Sequence, residues 1–409
     1  MDTEVAIVGG GLAGLRCAQV LSSRGVGVRI YEASDRVGGR VASDRVDGFT
    51  IDRGFQLLNT AYPALRRSVD LSALDLCAFD RGVRLEQVDN RRLLLDPRQG
   101  LLSGPRTLRN LPGTFREQLH LGRALAKLAF GASPHLPNPE LPTAQWFAES
   151  GFSGPLVDEV LQPFLAGVTL DPSLSGSSTV TALILRSLLR GRAAVPAQGM
   201  GALPERMAKD LPPGTVLLDC RVETMSRTSL STTQGAVNAT IVVLAADGPR
   251  ATQLVPQLGS SEMNAVTTWW HALPESPASK VVCLDLERSP ITNTVAMSAA
   301  APYAPRNRGL VASSAPGTRA DSATDAAVRK AVARCWDVTE REVELIATSV
   351  IPHALPRMPV PLNLTPPLDI SGIFIAGDHR ATASIQGALA SGERAARGVL
   401  KRLGRTKKA

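Results

Sequence analysis

Aromatic side chains are scarce in this chain: they make up 4% of its 409 residues, and only three are tyrosines (Tyr31, Tyr62 and Tyr303). Nucleic-acid-binding surfaces interleave basic with aromatic residues. No basic run here does so, which argues against such a role despite a formal charge of +8. The five cysteines, Cys17, Cys77, Cys220, Cys283 and Cys335, are scattered, odd in number and without a C-x-x-C. That argues against a zinc or other metal site and fits reduced thiols in a cytoplasmic protein. No apolar run reaches the roughly 18 residues of a membrane span. The longest candidate, near Val180 to Leu189, is interrupted by Arg186 and ends at Arg190, and reads as a buried or groove-lining helix. No basic region precedes residue 5, where the chain enters an apolar strand, so a signal peptide is not expected. The terminal run Lys401 to Lys408 carries part of the positive charge. A chain of this length, 44% hydrophobic, is expected to form about two domains with a substantial core.

The densest signal lies between Val5 and Arg40. The apolar run Val5-Ala6-Ile7-Val8 enters Gly9-Gly10-Gly11-Leu12-Ala13-Gly14, which has the spacing G-x-G-x-x-G. Leu15, Ala18 and Leu21 mark one face of a helix that stops at Gly25. A second apolar strand, Val26 to Tyr31, ends in Glu32. Strand, glycine turn, helix, strand and acid in that order form the dinucleotide-binding β-α-β unit. Gly9 allows the tight turn, Gly11 lets the backbone approach a pyrophosphate, and Gly14 lets the helix pack close on the sheet. The N–H groups of the helix start face the anion, and Glu32 can accept from the ribose hydroxyls.

Next comes Arg36-Val37-Gly38-Gly39-Arg40, a second glycine pair between two arginines. Here the backbone can approach a pyrophosphate from its other side while a guanidinium neutralises it. With this segment the chain resembles the flavin-containing amine oxidase superfamily, which also holds the phytoene-type desaturases and the protoporphyrinogen oxidases. The resemblance implies FAD rather than NAD, held by Gly9, Gly11, Leu12, Ala13, Gly14, Glu32, Ala33, Arg36, Gly38, Gly39 and Arg40. It implies an α/β fold: a Rossmann-type FAD-binding domain, discontinuous in sequence, with an inserted substrate domain of antiparallel sheet plus helices.

Further segments extend the likeness. Asp52-Arg53-Gly54-Phe55-Gln56 resembles the D-x-G stretch that runs along the flavin ring, implying that Gly54, Phe55 and Gln56 border it. Residues 62–195 show short helical patterns between Pro and Gly clusters (Gly104-Pro105, Pro112-Gly113, Ser133-Pro134) and read as the helical part of the substrate domain. Within them Phe115 to Phe130 is an amphipathic basic helix, fit to bury one face, cap a substrate tunnel or rest on a membrane. Gln162 to Val168 resembles the P-F-x-x-G-V stretch of the desaturase-like branch. Pro196 to Pro204 resembles the segment that returns the chain to the flavin domain, and Val222 matches the residue whose backbone holds the adenine. Residues 251–365, with strands at Lys280 to Leu286, Leu310 to Ser313 and Val343 to Ile351 and a helix at Ala323 to Trp336, read as the sheet part. The FAD-binding domain is then 1–61, 196–250 and 366–409. Its last piece holds the strand Gly372 to Ala376, then Gly377-Asp378, then Ser384-Ile385-Gln386-Gly387-Ala388. In the resembling families the Gly-Asp lies beside the ribityl chain, and the Ser384 to Ala388 helix start points at the flavin C2 carbonyl, where a helix dipole stabilises negative charge.

The resemblance implies transfer of a hydride from a substrate carbon to flavin N5, with the protein supplying orientation and electrostatics. No second G-x-G-x-x-G is present, so the substrate is the expected reductant and O2 or a quinone the acceptor. No aromatic lies between His379 and Leu400 to guide an amine, and no cysteine stands there to bind flavin covalently. The Ser384-Ile385-Gln386-Gly387-Ala388 form and Asp378 resemble the desaturase and porphyrinogen-oxidase branches, which implies an apolar small-molecule substrate, isoprenoid or porphyrinogen-like, and FAD held non-covalently. Lys280 leans the other way, since some amine oxidases place a lysine at this strand. The alternatives are thus an amine oxidase and, in another class, a non-redox flavin protein or isomerase. Lys280 and His379 are the candidate catalytic residues, with His271 and His353 as weaker ones.

Overall fold

Val5, Ala6 and Ile7 are fully buried because both faces of their strand are covered, as expected of a central parallel strand. The computed structural model describes residues 2–100, 103–131, 136–287, 289–319 and 321–405. In it the strand Asp2–Val8 stands inside an eight-stranded sheet. Its parallel neighbours are Val28–Tyr31 on one side and Gly235–Leu244 on the other. Val216–Leu217 continues the sheet beyond Val28–Tyr31. On its far side Gly235–Leu244 pairs with Ser229–Thr232 along its first half and, in parallel, with Ile373–Ile375 at its end. Strands distant in sequence therefore share one Rossmann-type sheet, and the chain is a mixed α/β protein.

Two helices cover one face of that sheet, Leu12–Ser22 and Ile385–Arg402, and they cross closely. A Cβ on Gly392 would sit 2.1 Å from the Ala13 carbonyl oxygen, so only glycine permits this approach. Beside the crossing the buried Glu393 accepts from Arg16 and Arg67, both at 3.2 Å. Burial works against its charge, but the arginines outweigh it and hold its pKa below the ordinary glutamate value.

The second sheet has seven strands in the order Glu344–Pro356, Met263–Leu273, Gly309–Pro316, Asn293–Ala296, Val282–Asp285, Gly82–Gln87, Asn90–Leu95. All its pairs are antiparallel except Val282–Asp285 with Gly82–Gln87. The two-residue period of Met263–Leu273 sends neighbouring tryptophans to opposite faces. Trp269 packs under the helix Ser322–Trp336, and Trp270 enters the core shared with the first sheet.

Residues 62–195 are not wholly helical, as their patterning suggested. Leu76–Ala78 joins a three-stranded sheet with Leu58–Asn59 and Ala193–Pro196, and the hairpin Gly82–Leu95 extends the seven-stranded sheet. Charge inside the hairpin hides its strand pattern. Glu86, only 2% exposed, is held by Arg84 at 3.3 Å and Arg91 at 2.8 Å, and Arg84 lies over the Trp336 ring. Gly104-Pro105 also fails as a break. It falls in the first turn of the helix Ser103–Asn110, where proline has no hydrogen bond to forfeit. Ser133-Pro134 and the end of the basic tail, from residue 406, lie outside the described residues. Among the described residues no helix is long and apolar enough to cross a membrane, and no cluster of three potential metal ligands occurs.

Candidate active site

Parallel register assembles the site. Tyr31, Val8, Leu244 and Ile375 lie in one row across the sheet. Just beyond their carboxyl ends stand Glu32, Gly9, Ala245 and Gly377-Asp378, at the edge where open α/β sheets bind their ligands. Gly9 turns at φ +106°, with no room for a side chain: a Cβ would lie 2.8 Å from the Ala245 carbonyl oxygen. A Cβ on Gly14 would lie 2.0 Å from the Gly9 oxygen, so the helix sits directly on the turn. At Gly11 a Cβ would find nothing within 4 Å, and this open space faces the second glycine turn. Gly38 N donates to Gly10 O at 2.9 Å, and a Cβ on Gly39 would stop 3.7 Å from Gly11 Cα. The helix start at Leu12 has no side-chain cap and no acid in its first turn. Leu12 and Ala13 therefore present backbone N–H groups to an anion between the two turns. The donor set and the space at Gly11 fit a pyrophosphate.

Other predicted contacts are engaged differently. Glu32 accepts from Gly10 N at 2.6 Å, Ser34 N at 2.9 Å and the Ser34 hydroxyl at 2.8 Å. A carboxylate has about four acceptor sites, so roughly one is left for a ribose hydroxyl. Ala33 follows it at the strand's end. Arg36 does not turn towards the cradle: it pairs with Asp44 at 2.5 Å and Asp35 at 3.5 Å. Arg40 is likewise already matched, donating to Asp378 at 2.7 Å and to the Ala354 carbonyl at 2.7 Å. Each arginine expected to neutralise phosphate thus has an acid beside it, and the backbone donors of the two turns stand with them. The Val222 carbonyl accepts from Arg250 Nη2 at 2.7 Å, reaching across from the helix Gly248–Leu254.

The ring end is built from both sheets. Gly54 turns at φ +82°, and Phe55 N donates to the Thr268 hydroxyl of the second sheet at 3.3 Å. Gln56 braces rather than lines the site, its amide donating to the Arg40 and Arg53 carbonyls at 2.7 and 2.8 Å. The residue that ties this turn down is the aspartate of the D-x-G stretch, which the motif does not itself place at the ring. Asp52, fully buried, accepts from the Ser43 hydroxyl at 2.5 Å, Met200 N at 2.9 Å and the Tyr303 hydroxyl at 3.0 Å. Burial pushes its pKa up to about 6, and the three donors offset that only in part. Its D-x-G context is visible in the sequence, but Tyr303, 251 residues away, carries no such signal.

Ser384 caps the C-terminal helix, accepting from Gly387 N at 3.0 Å. Gly387 is required there, since a Cβ would meet the Thr382 oxygen at 1.9 Å. Ser384 O accepts from Ala388 N as the helix's first turn closes, which leaves the Ile385 and Gln386 N–H groups for an outside acceptor. The Gln386 side chain is spent on Ala64 N at 2.9 Å. Asp378 Oδ1 takes Arg40 and its neighbour's amide, and no donor to Oδ2 occurs among the described residues.

His379 packs its ring onto Gly377, where a Cβ would lie 2.3 Å from the imidazole. Both ring nitrogens are buried without partners among the described residues, and burial lowers its pKa to about 4, so the ring is neutral. His379, Arg380 and Ala383 form one wall of a cavity of about 530 Å³. Val168, Leu174, Val180, Ile184, Leu258 and Met358 are among its apolar lining, and Thr181, Ser260, Ser261 and Asn264 among its polar lining. Both acids in the wall are already partnered. Asp171 accepts from Ser173, Ser175 and Gly176, and Glu262 pairs with Arg357 at 3.1 Å. Lys280 is exposed, its carbonyl accepting from Asp80 N at 3.1 Å, and it meets the three-stranded sheet at the edge away from Leu58. His271 is buried in the second sheet with its pKa lowered to about 4 by burial, and His353 is exposed.

Comparison with known proteins agrees with this geometry. Residues 12–400 match the family model for flavin containing amine oxidoreductases. The hydroxysqualene dehydroxylase of Rhodopseudomonas palustris is 26% identical over 211 residues, 47% of this chain and 45% of that protein. The chloroplastic protoporphyrinogen oxidase of Nicotiana tabacum is 27% identical over 174 residues, 42% of this chain and 30% of that protein. The chain thus spans less than half the length of these curated relatives. The structure of putrescine oxidase bound to putrescine superposes with a TM-score of 0.74 at 16% identity, covering 98% of this chain and 100% of that one. That is a likeness of fold.

Proposed function

Because the chain belongs to the flavin containing amine oxidoreductase family, and is by that membership a flavin-dependent oxidoreductase, we propose that it oxidises an apolar small molecule. FAD is the flavin, held non-covalently between the two glycine turns, Glu32 and Asp378 at one end and the Gly54 turn and the Ser384 helix start at the other. O2 or a quinone is the acceptor. Bound FAD supplies the hydride-accepting atom. The Ile385 and Gln386 N–H groups and the helix behind them offer fixed positive potential to charge developing at the ring. Asp378 Oδ2 would accept from a ribityl hydroxyl, and Thr268 and Asp52 hold the Gly54 turn in place.

The observation that carries the substrate class is the cavity wall beside Ala383. An alkylammonium ion entering it would meet an Asp171 carboxylate filled by protein donors, a Glu262 carboxylate paired with Arg357, hydroxyls and the neutral His379 ring, a set that offsets its desolvation less than a free carboxylate would. An uncharged isoprenoid or porphyrinogen-like molecule meets no such penalty. The putrescine oxidase likeness keeps amines as the second reading, and Lys280, which has no acidic partner among the described residues, is the side chain that would serve it. The test is anaerobic bleaching of the purified yellow protein. Polyenes, squalene-like alcohols or porphyrinogens should bleach it and amines should not; bleaching by amines alone would refute the apolar reading. An intact spectrum with every reductant would favour a non-redox flavin protein.

A further inference from the structure

The solvent face of the helix Phe115–Phe130 is itself two-sided. Phe115 is 75% and Phe130 86% exposed, and Leu119, Gly122 and Ala126 are exposed with them. At about 100° per residue these five fall within one sector of roughly 80°. Arg116, Arg123 and Lys127 are also exposed and occupy the adjoining sector. The single acid of the helix, Glu117, is tied back into the capping box with Thr114. The exposed face is thus an apolar stripe flanked by a basic stripe without a counter-charge among the described residues. Two phenylalanines about 22 Å apart along the axis are not the scattered hydrophobics of an ordinary surface.

Protein groups cap both ends of this helix. The capping box takes the Thr114 and Glu117 N–H groups at the start. At the other end Arg186 donates to the Leu128 and Gly131 carbonyls at 2.7 and 2.9 Å, and Arg190 to those of Ala129 and Gly131 at 2.7 and 2.9 Å. Carbonyls satisfied by protein donors need no water, which a helix end facing a low-dielectric medium requires. Arg186 and Arg190 belong to the helix Ser178–Arg190, on which the basic helix packs and whose Val180, Thr181 and Ile184 line the cavity.

We propose that the helix Phe115–Phe130 docks the protein on the surface of an anionic phospholipid bilayer. Phe115, Leu119 and Phe130 enter the acyl boundary, while Arg116, Arg123 and Lys127 meet headgroup phosphates. Charge complementarity selects this occupant, since a basic stripe beside an apolar one matches phosphate above acyl chain. The helix behind it then stands between the bilayer and the cavity, a short path for an apolar molecule leaving the lipid.

Cosedimentation of the purified yellow protein with vesicles tests this without any substrate. Vesicles of equal phosphatidylcholine and phosphatidylglycerol should hold at least about tenfold more protein than phosphatidylcholine alone, with the difference shrinking as salt rises. F115S/F130S should lower binding to the anionic vesicles about tenfold, and R116E/R123E/K127E should remove the preference for them. Flavin absorbance and thermal midpoint, unchanged in both variants, exclude misfolding as the cause. Wild-type protein that ignores anionic vesicles, or variants that bind as the wild type does, overturn the proposal. So does a wild-type dimer that ignores vesicles and dissociates in F115S/F130S, which makes the face an interface between copies. Vesicle binding is read independently of turnover, so loss of the apolar-substrate reading leaves this proposal standing.

Discussion

Replacing Asp52 by asparagine probes the junction that holds the ring-side turn. Three donors converge on the carboxylate, yet burial leaves it with a pKa of about 6. An unfolded aspartate titrates at about 3.9. The folded value is the higher one, so between about pH 4 and 6 the folded state keeps a proton that the unfolded chain has lost. Stability from this group is therefore full below about pH 4, falls by about 1.4 kcal/mol per unit as pH rises, and is lost above about pH 6. The window amounts to roughly 3 kcal/mol. Asparagine has the same shape and no proton to exchange. Its oxygen accepts from Ser43 and Met200, and its NH2 donates to the Tyr303 oxygen. Urea unfolding of both proteins at about pH 4.5 and pH 7.5 should show the Asp52→Asn variant gaining on wild type by about 2 kcal/mol towards high pH. Other titrating groups cancel in that difference. A pH-independent difference, or Asp52→Asn losing ground as pH rises, would refute the reasoning. Asp52→Ala is the contrasting arm: it strands the buried Met200 N–H and Tyr303 hydroxyl and should cost about 3 kcal/mol or more at either pH.

Gly11→Val fills the open space between the glycine turns while leaving the fold intact; the purified protein should be colourless with a near-native circular dichroism spectrum, and a yellow variant would remove the pyrophosphate assignment. Gly392→Leu drives a side chain into the Ala13 carbonyl and should lower stability by about 2–4 kcal/mol in urea melts, whether or not flavin is bound. His379 is neutral above about pH 4, so His379→Gln should leave the pH profile of flavin reduction unchanged between about pH 5 and 8. A lost acid limb in that variant would instead make the imidazole a titrating participant. Lys280→Met separates the two substrate readings, since loss of amine-driven bleaching with apolar-substrate bleaching intact would assign the lysine to amine chemistry.

The cofactor end was legible because each of its parts is a local device. A turn needing φ +106° at Gly9, a helix seated on Gly14 and a strand ending in Glu32 are written in consecutive residues. The same is true of the Ser384 cap. What the local sequence left open was the pairing of charge. Arg36 and Arg40 flank the glycine pair as a phosphate-binding arginine would, but what a guanidinium does depends on which acid reaches it. Asp44 lies 8 residues from Arg36 and Asp378 lies 338 residues from Arg40. The hairpin Gly82–Leu95 was lost for the same reason, since Glu86 reads as solvated until Arg84 and Arg91 are seen to enclose it.

The substrate end shows the limit in a sharper form. The cavity draws its wall from the helices Gln162–Thr169 and Ser178–Arg190, the segment 252–264, the end of the strand Glu344–Pro356 and the turn at His379. No one of these pieces is distinctive, and the decisive property is how the two acids of the wall are partnered. Asp171 takes four donors from a loop that folds back on itself, within five residues, while Glu262 is paired with Arg357. Removing those partners should therefore change the specificity, not only the stability. Arg357→Leu frees the Glu262 carboxylate towards the cavity. If the wall sets the substrate class, this variant should bind alkylammonium ions at least about tenfold more tightly than wild type, by ligand-induced shift of the flavin spectrum. Equal amine affinity in the two proteins would show that the wall does not make the choice.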